Sequence, residues 1–472
     1  VSVFPRHKTK IVCTIGPASR PPQILQRMIQ HGMNIVRLNL AHGEPESHAE
    51  VITDVRAIAA DLGKRISILA DLPGPKMRLG DLPNKRRELR RDQEVILSTK
   101  PTQPQHIPLD FEGLAQALVP GNIIYLSDGF IQLRVLEIQD EEIRCRVMVG
   151  GMLRSHNGLN VPGLSLASSS FTEHDRKLLK VMLEHDIDAI SISFVQDAKD
   201  VLEVRELAAS WGKTPFLIAK IERAKAVRNI DDILHVADGI MVARGDLGVE
   251  TPIEEIAITQ KRLIERAALL GKPVITATQM LESMVHNRRP TRAEVTDVSN
   301  AILDGTDCIM LSEESAIGDY PVDAVRMMAR IAQATEASHP NLTIRQALLR
   351  KRASDQVRVE DVIAIDVFTS VDRLKPRIIV APTDSGATAR RLARFRLPYW
   401  TVAFSISAQT CQQLHFSYGI YPVQVPPGEH DWKEVTRQWC QQHGLEHGWV
   451  VMTHGPSKEK PRASSFVEVF QL

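Results

Sequence analysis

Lys220-Ile221-Glu222 sets an ammonium and a carboxylate two residues apart in a run that reads as a β-strand. Residues two apart on a strand share a face, so the two charges converge while Ala219 and Ile221 face the other way. A lone Lys-x-Glu of this kind is most simply a structural ion pair. The next strand-like run, however, ends Ala243-Arg244-Gly245-Asp246-Leu247-Gly248, adding a second carboxylate beside two glycines that let backbone approach a ligand closely. Two carboxylates and a lysine on neighbouring strand ends suit a divalent cation that handles phosphate oxygens. Magnesium typically takes one or two carboxylates and leaves its other positions to water and substrate. Residues 245–251 could also turn backbone N–H groups toward an anion where a helix begins.

A second constellation lies at 32–43, where Arg37, Asn39 and Ala41 alternate onto one face and His42 follows. The planar fork of an arginine at a strand end clamps phosphate with two hydrogen bonds. Read alone, Arg37 serves equally well as a buried structural arginine and His42 as a loop histidine.

The elements that must position these residues are legible as runs rich in Val, Ile and Leu at 10–15, 35–40, 66–72, 188–194, 216–221, 239–244, 273–278 and 308–312. Parallel strands covered on both faces have this near-continuous apolar character. Eight of them, alternating with helical patterns, predict a (β/α)8 TIM barrel, whose chemistry sits at the strand C-termini. Arg37, Asn39, Asp71, Lys220, Arg244 and Thr278 all fall at such ends. More than a hundred residues separate the third and fourth runs. Within them 94–98, 122–127, 130–138 and 142–149 read as strands, which predicts a small β-barrel lid domain inserted at the catalytic end. After an amphipathic helix at 321–337 and a polar stretch at 345–359, strand-like runs at 361–368, 377–382, 400–405, 419–425 and 448–453 predict an open α/β domain. The expected domains are therefore 1–73 with 167–345 (barrel), 74–166 (lid) and 346–472 (C-terminal regulatory and oligomerisation domain).

The formal net charge of +1 gives no case for nucleic acid or an anionic membrane, and no apolar run approaches the roughly 20 residues that span a bilayer. Five dispersed cysteines without CxxC spacing argue against a disulfide framework or zinc site and for a reducing compartment. Residues 1–10 lack the apolar core of a signal peptide. The expectation is a cytoplasmic protein.

The combination of motifs resembles the pyruvate kinases. It rests on KTKIVCTIGPAS at 8–19, RLNLAHG at 37–43, DLPGPKMR at 71–78, IAKIE at 218–222, ARGDLG at 243–248, ATQMLESM at 277–284 and RPTRAEV at 289–295, in that family's order. GLNVPG at 158–163 and SGATAR at 385–390 carry a looser likeness. The resemblance implies phosphoryl transfer from phosphoenolpyruvate to ADP, giving ATP and pyruvate, the last step of glycolysis, in a homotetramer. It implies that Glu222 and Asp246 hold Mg2+ or Mn2+ and that Lys220 neutralises charge on the phosphoryl group and enolate. Thr278 would help deliver the proton, and backbone groups of Arg244, Gly245 and Asp246 would seat the substrate carboxylate. Arg37, Asn39, His42 and Arg78 would approach the nucleotide phosphates, and Ser385, Thr388 and Arg390 could cradle a sugar-phosphate or nucleotide effector.

Departures from the family pattern cluster. Many members bind potassium through an asparagine, a serine, an aspartate and a threonine; here Asn39 and Asp71 remain, but Ala41 and Leu72 hold the other two positions. Lys76 stands where potassium-dependent members carry a glutamate, and its ammonium can supply the missing charge, so K+ is expected not to be required. Gln196-Asp197 occupy the place of an expected nucleotide-side lysine, and Glu313 and Ile317 replace a common glycine and lysine. Two rival readings are another barrel enzyme acting on phosphoenolpyruvate or pyruvate, and a non-catalytic sensing scaffold. Retention of Lys220, Glu222 and Asp246 weighs against the second.

Overall fold

The computed structural model describes residues 4–103, 105–111, 113–127, 129–164, 170–337, 358–455 and 464–472. The expected boundaries at 166/167 and 345/346, and most of the polar stretch 345–359, lie outside the described residues.

Eight parallel strands close into a barrel in which each pairs with its neighbours in chain order, the first (Lys10–Thr14) meeting the last (Cys308–Leu311). The other six are Ile35–Asn39, Ser67–Asp71, Ala189–Ile192, Phe216–Ile221, Gly239–Ala243 and Val274–Ala277. Side chains of successive strand residues point to opposite faces. Ile11 and Cys13 accordingly join a core shared with the surrounding helices, while Val12, Ile35, Leu69, Ile218, Met241 and Ile275 fill the barrel interior. Strands buried on both faces have little room for polar side chains except at their ends, and that is where the charged residues stand.

Helix starts are set by local hydrogen bonding. Thr172, Asp197 and Thr291 each cap the helix that follows and are bonded in return by a carboxylate three residues on. The helix Pro321–Glu336 opens on a proline, as its sequence predicts.

Between the third and fourth barrel strands, Glu94–Ser98, Ile123–Leu126, Ile131–Gln139 and Glu142–Val149 form a sheet together with two short edge pieces, Ile107–Pro108 and Leu159–Asn160. A two-stranded ribbon, Arg86–Leu89 with Gly151–Arg154, completes the insert, which packs around its own core. The expected small β-barrel thus takes the form of a six-stranded sheet and a ribbon.

The C-terminal sheet runs Ile420–Gln424, Thr401–Ser405, Ile378–Val380, Trp449–His454 and Phe466–Gln471, the last strand antiparallel. One expected strand is a helix: 361–368 lies inside Val359–Leu374. Its buried residues, Ala364, Val367, Phe368 and Val371, recur at helical spacing, and a short apolar run does not separate helix from strand by itself. The strand Phe466–Gln471 was not anticipated.

The barrel floor is closed by this domain. Phe416 joins the interior cluster and stacks on Phe216 with ring centroids 5.6 Å apart. Beside it, buried Asp307 accepts from Arg396 Nη1 at 2.7 Å and Nη2 at 2.9 Å, from Tyr418 N at 2.9 Å and from Val274 N at 3.0 Å. Replacing Asp307 by alanine leaves the Arg396 charge buried without its partner. The Asp307→Ala protein is expected to lose about 3–5 kcal/mol, read as a fall in the urea midpoint, and an unchanged midpoint contradicts this role.

Candidate active site

The barrel mouth gathers charges from the ends of the second, third, fifth and sixth strands, with serines from the fourth between them. Asp71, at the end of the third strand, is almost fully buried and accepts from Arg37 Nε at 2.9 Å and from Ser191 Oγ at 2.6 Å. Arg37 also donates to Asp71 through Nη2, and its Nη1 reaches Thr14 Oγ1 at 2.9 Å. On the other side, Lys220 Nζ lies 3.5 Å from Asp71 Oδ1 and 2.9 Å from Glu222 Oε1, and donates to Ser193 Oγ at 2.8 Å. Ser193 Oγ in turn donates to Leu72 O at 2.6 Å. Glu222 Oε2 accepts from Phe194 N at 2.7 Å. The ammonium is therefore held between two carboxylates and a hydroxyl.

These surroundings decide protonation. Burial alone raises a carboxyl pKa, but Lys220 and Arg37 overcome it and hold Asp71 below its ordinary value. Burial pulls Lys220 down, yet the carboxylates of Asp71 and Glu222 outweigh it and leave the ammonium more firmly protonated. For Glu222 burial wins and, with repulsion from Asp246, raises its pKa despite Lys220. A carboxylate raised by burial and further by a neighbouring carboxylate is one that a divalent cation would relieve.

Asp246 lies in the helix Arg244–Glu250 that follows the sixth strand. Its Oδ1 accepts from Lys76 Nζ at 3.2 Å, which joins the insert side to the barrel. A side chain at Gly158 would crowd Lys76, a Cβ there standing 3.3 Å from its Cε, so glycine keeps this lysine's path open. Arg244 points behind the mouth: it bonds Asp297 at 2.7 Å and Thr278 O at 2.7 Å, and so contributes its backbone, not its side chain, to the opening. Thr278 follows the seventh strand with φ of 69°, a left-handed conformation costly for a β-branched residue. Its hydroxyl donates to Ala277 O at 2.6 Å and accepts from Gly245 N at 2.8 Å. Phe194, with φ of 56°, is a second such residue at the mouth.

Asn39 ends the second strand beside Asp71 and accepts from Ala41 N at 3.3 Å. His42 is exposed at the surface; partial desolvation, then the cations Arg78, Arg37 and Lys76, hold its imidazole below its ordinary value. Positive charge from barrel and insert thus converges on one seam. Arg78 itself donates to His156 O at 3.2 Å within the insert. Glu250, at the far end of the Asp246 helix, is bonded by Asn160 and by the backbone of Gly163, which fastens the returning insert strand to the site.

Residues that sequence reasoning did not single out here are Thr14, Ser191, Ser193, the Phe194 amide and Asp297. Ser191 and Ser193 share a face of the fourth strand at spacing two, the one signal that could have shown them. Lys225 stands beside Gln196-Asp197, its Nζ 3.3 Å from both Gln196 Oε1 and Asp197 Oδ2. Glu314 is buried and accepts from the Leu281 and Ser312 amides, whereas neighbouring Ile317 is exposed.

In the C-terminal domain Ser385 and Thr388 line a cavity of about 1050 Å3 together with Arg391, His430, Trp432 and Lys433. Arg390 does not share it. Two residues past Thr388 on the helix Ala387–Ala393, it turns to the opposite side, toward the barrel. Gly386, with φ of 80°, is the N-cap of that helix.

A closed barrel with lysine and carboxylates converging on its strand C-termini defines a (β/α)8 barrel enzyme. Residues 6–325 match the family described as pyruvate kinase, barrel domain, and 361–470 match pyruvate kinase, alpha/beta domain. A pyruvate kinase of Thermococcus litoralis is 46% identical over 99% of both chains. One of Geobacillus stearothermophilus is 42% identical over 89% of this chain and 72% of its own, and pyruvate kinase 2 of Synechocystis is 38% identical over 99% and 80%. The chain belongs to the pyruvate kinase family and is an enzyme of that kind. Among the described residues no helix is long and apolar enough to cross a membrane.

Because Asp71 is held below its ordinary value, its stabilising contribution is present above the unfolded carboxylate range, about pH 4, and is lost as pH falls through the folded value. Asp71→Asn is therefore expected to be less stable than wild type at neutral pH, by about 3–5 kcal/mol, with the gap narrowing in acid. Urea titrations from pH 7 to pH 3 measure this; a gap that widens in acid refutes it.

Proposed function

We propose that the chain transfers the phosphoryl group of phosphoenolpyruvate to ADP, giving ATP and pyruvate, and that it requires a divalent cation. The observation that carries this reading is the placement of Lys220 Nζ between Asp71 and Glu222 at the barrel mouth, with Asp246 close enough to act on Glu222. The donor set fits the cation: Glu222 and Asp246 are hard oxygen ligands, each carboxylate oxygen has lone pairs beyond those already engaged, and mutual repulsion favours a positive charge between them. Glu222 and Asp246 would hold Mg2+ or Mn2+, which supplies neutralisation of phosphoryl oxygens when bound.

The chain's own groups do the rest. Lys220, kept charged, faces the bond between the enol oxygen and phosphorus and stabilises negative charge as that bond breaks. The phosphoryl group passes to a terminal oxygen of ADP, and the enolate left behind takes a proton at its methylene carbon. Thr278 relays that proton, directly or through water. Backbone of Arg244, Gly245 and Asp246, at the start of their helix, receives the substrate carboxylate. Arg78, His42 and Asn39 receive nucleotide phosphates at the seam, where neutral His42 can donate one hydrogen bond. Arg37 acts mainly by fixing Asp71, since its guanidinium is buried against that carboxylate.

Lys76, in this reading, supplies a permanent charge in place of potassium. Its contact with Asp246 and its effect on His42 support this, as does the absence of side-chain oxygens at Ala41 and Leu72. We extend the family reading to a homotetramer and to a sugar-phosphate or nucleotide effector in the cavity beside Ser385 and Thr388.

Wild type is expected to form pyruvate from phosphoenolpyruvate and ADP only with magnesium or manganese, followed by coupled reduction of the product. Glu222→Ala should abolish turnover, and Lys220→Ala should lower kcat by about 100-fold or more; full activity of either variant overturns the assignment. In lithium or tetramethylammonium buffer, wild type should be as active as in potassium. Large stimulation by potassium would refute the role of Lys76 without touching the reaction.

A further inference from the structure

A second cluster of charge lies at the opposite end of the barrel and takes no part in the chemistry above. Where the barrel floor meets the C-terminal domain, Lys272, Arg390, Arg394, Arg396, Ser417 and Asp307 surround a small cavity. Four polar atoms of these lining residues are sealed from solvent and lack a hydrogen-bond partner: Arg390 Nη1, Arg394 Nε, Arg396 Nε and Ser417 Oγ. Burying such groups unsatisfied is costly, and three of these four belong to cations.

The charges around the cavity do not balance. Its one lining carboxylate, Asp307, is fully engaged by Arg396 and by the amides of Val274 and Tyr418. Arg394 is paired outside the cavity with Asp361 at 2.8 Å. Lys272 donates to Ala237 O at 2.6 Å. Arg390, among the described residues, has no carboxylate ion pair; its Nη2 donates to Ser385 O at 2.7 Å and its guanidinium lies over Phe216. Burial depresses both Arg390 and Lys272; Asp238, itself paired with Arg205 at 2.9 Å, opposes this in each, while repulsion from Arg391 and Arg390 respectively adds to it. The backbone leaves room for this arrangement only because residue 386 is glycine, since a Cβ there would stand 2.7 Å from Arg390 Nη1.

We propose that this cavity is a binding site for one small monatomic anion, chloride in solution, held by Arg390, Arg394, Arg396 and Ser417. Size selects the ligand. The space open to the centre of a water-sized sphere is about 10 Å3, which suits a single compact guest. Charge selects between the guests that fit: a water would satisfy donors, whereas four lining cations face one lining carboxylate that Arg396 already engages. An anion here lies between Arg390, Arg394 and Arg396 of the C-terminal domain and the barrel residue Lys272, and so draws the two together.

Crystals of the full-length protein soaked in sodium bromide, with data collected at the bromine edge, test the site directly. An anomalous peak within hydrogen-bond reach of Arg390 Nη1 and Ser417 Oγ is expected; ordinary water density without anomalous signal overturns the proposal. In solution, the melting temperature should rise and saturate with chloride or bromide relative to gluconate at equal ionic strength. Ser417→Ala, and Arg390→Met if it folds, should lose that halide-specific increment while keeping the general salt response. Identical melting in halide and gluconate, or an increment unchanged in Ser417→Ala and Arg390→Met, refutes it.

Discussion

The buried carboxylate of Asp71 is the contact on which the catalytic end of this barrel depends. Arg37 and Lys220 are cations brought to the same mouth from the second and fifth strands, and without a negative charge between them they would repel in a poorly hydrated space. Asp71 can stay ionised there only because both cations and Ser191 are in place. The arrangement is therefore mutual, and it is sensitive to register. Asp71 pairs with Asn39 on one side and Ser191 on the other, and a one-residue slip of either neighbour would turn the interacting side chains to the helical face. Barrel closure is what fixes that register.

Order at the mouth is held partly at the expense of backbone comfort. Thr278 and Phe194 adopt left-handed conformations, each where a barrel strand gives way to its loop. Each has identifiable compensation: Thr278 through its hydroxyl and through Arg244, which is itself anchored by Asp297, and Phe194 through the Glu222 carboxylate. Strain kept in this way is commonly found where groups must be aimed at a ligand. The same logic explains why Arg244 spends its side chain on scaffolding while its backbone opens the next helix.

The two other parts of the chain meet the barrel at opposite ends and with opposite character. The insert approaches through polar contacts, Lys76 on Asp246 and Asn160 on Glu250, which bring charge to the mouth. The C-terminal domain instead plugs the floor with Phe416 and locks it with the Asp307–Arg396 pair. One contact leaves chemistry accessible; the other closes the floor of the barrel interior.

The eight strands were legible in the sequence because parallel strands covered on both faces must be apolar almost throughout, and their polar ends then stand out. Lys220, Glu222 and Asp246 could be read for that reason. The run 361–368 failed because it is apolar under either period, and only packing against the C-terminal sheet made it a helix. Pairings between distant segments were likewise out of reach: Lys225 standing beside Asp197, Lys76 reaching Asp246 across 170 residues, and Arg390 turning from the cavity of Ser385 toward the barrel floor. The sequence by itself determined which residues carry charge at strand ends, since local periodicity and burial are written in neighbouring side chains. Which of those charges meet, and hence which are held ionised, was decided by closure of the barrel, because contacts between segments far apart in the chain exist only once the chain has folded.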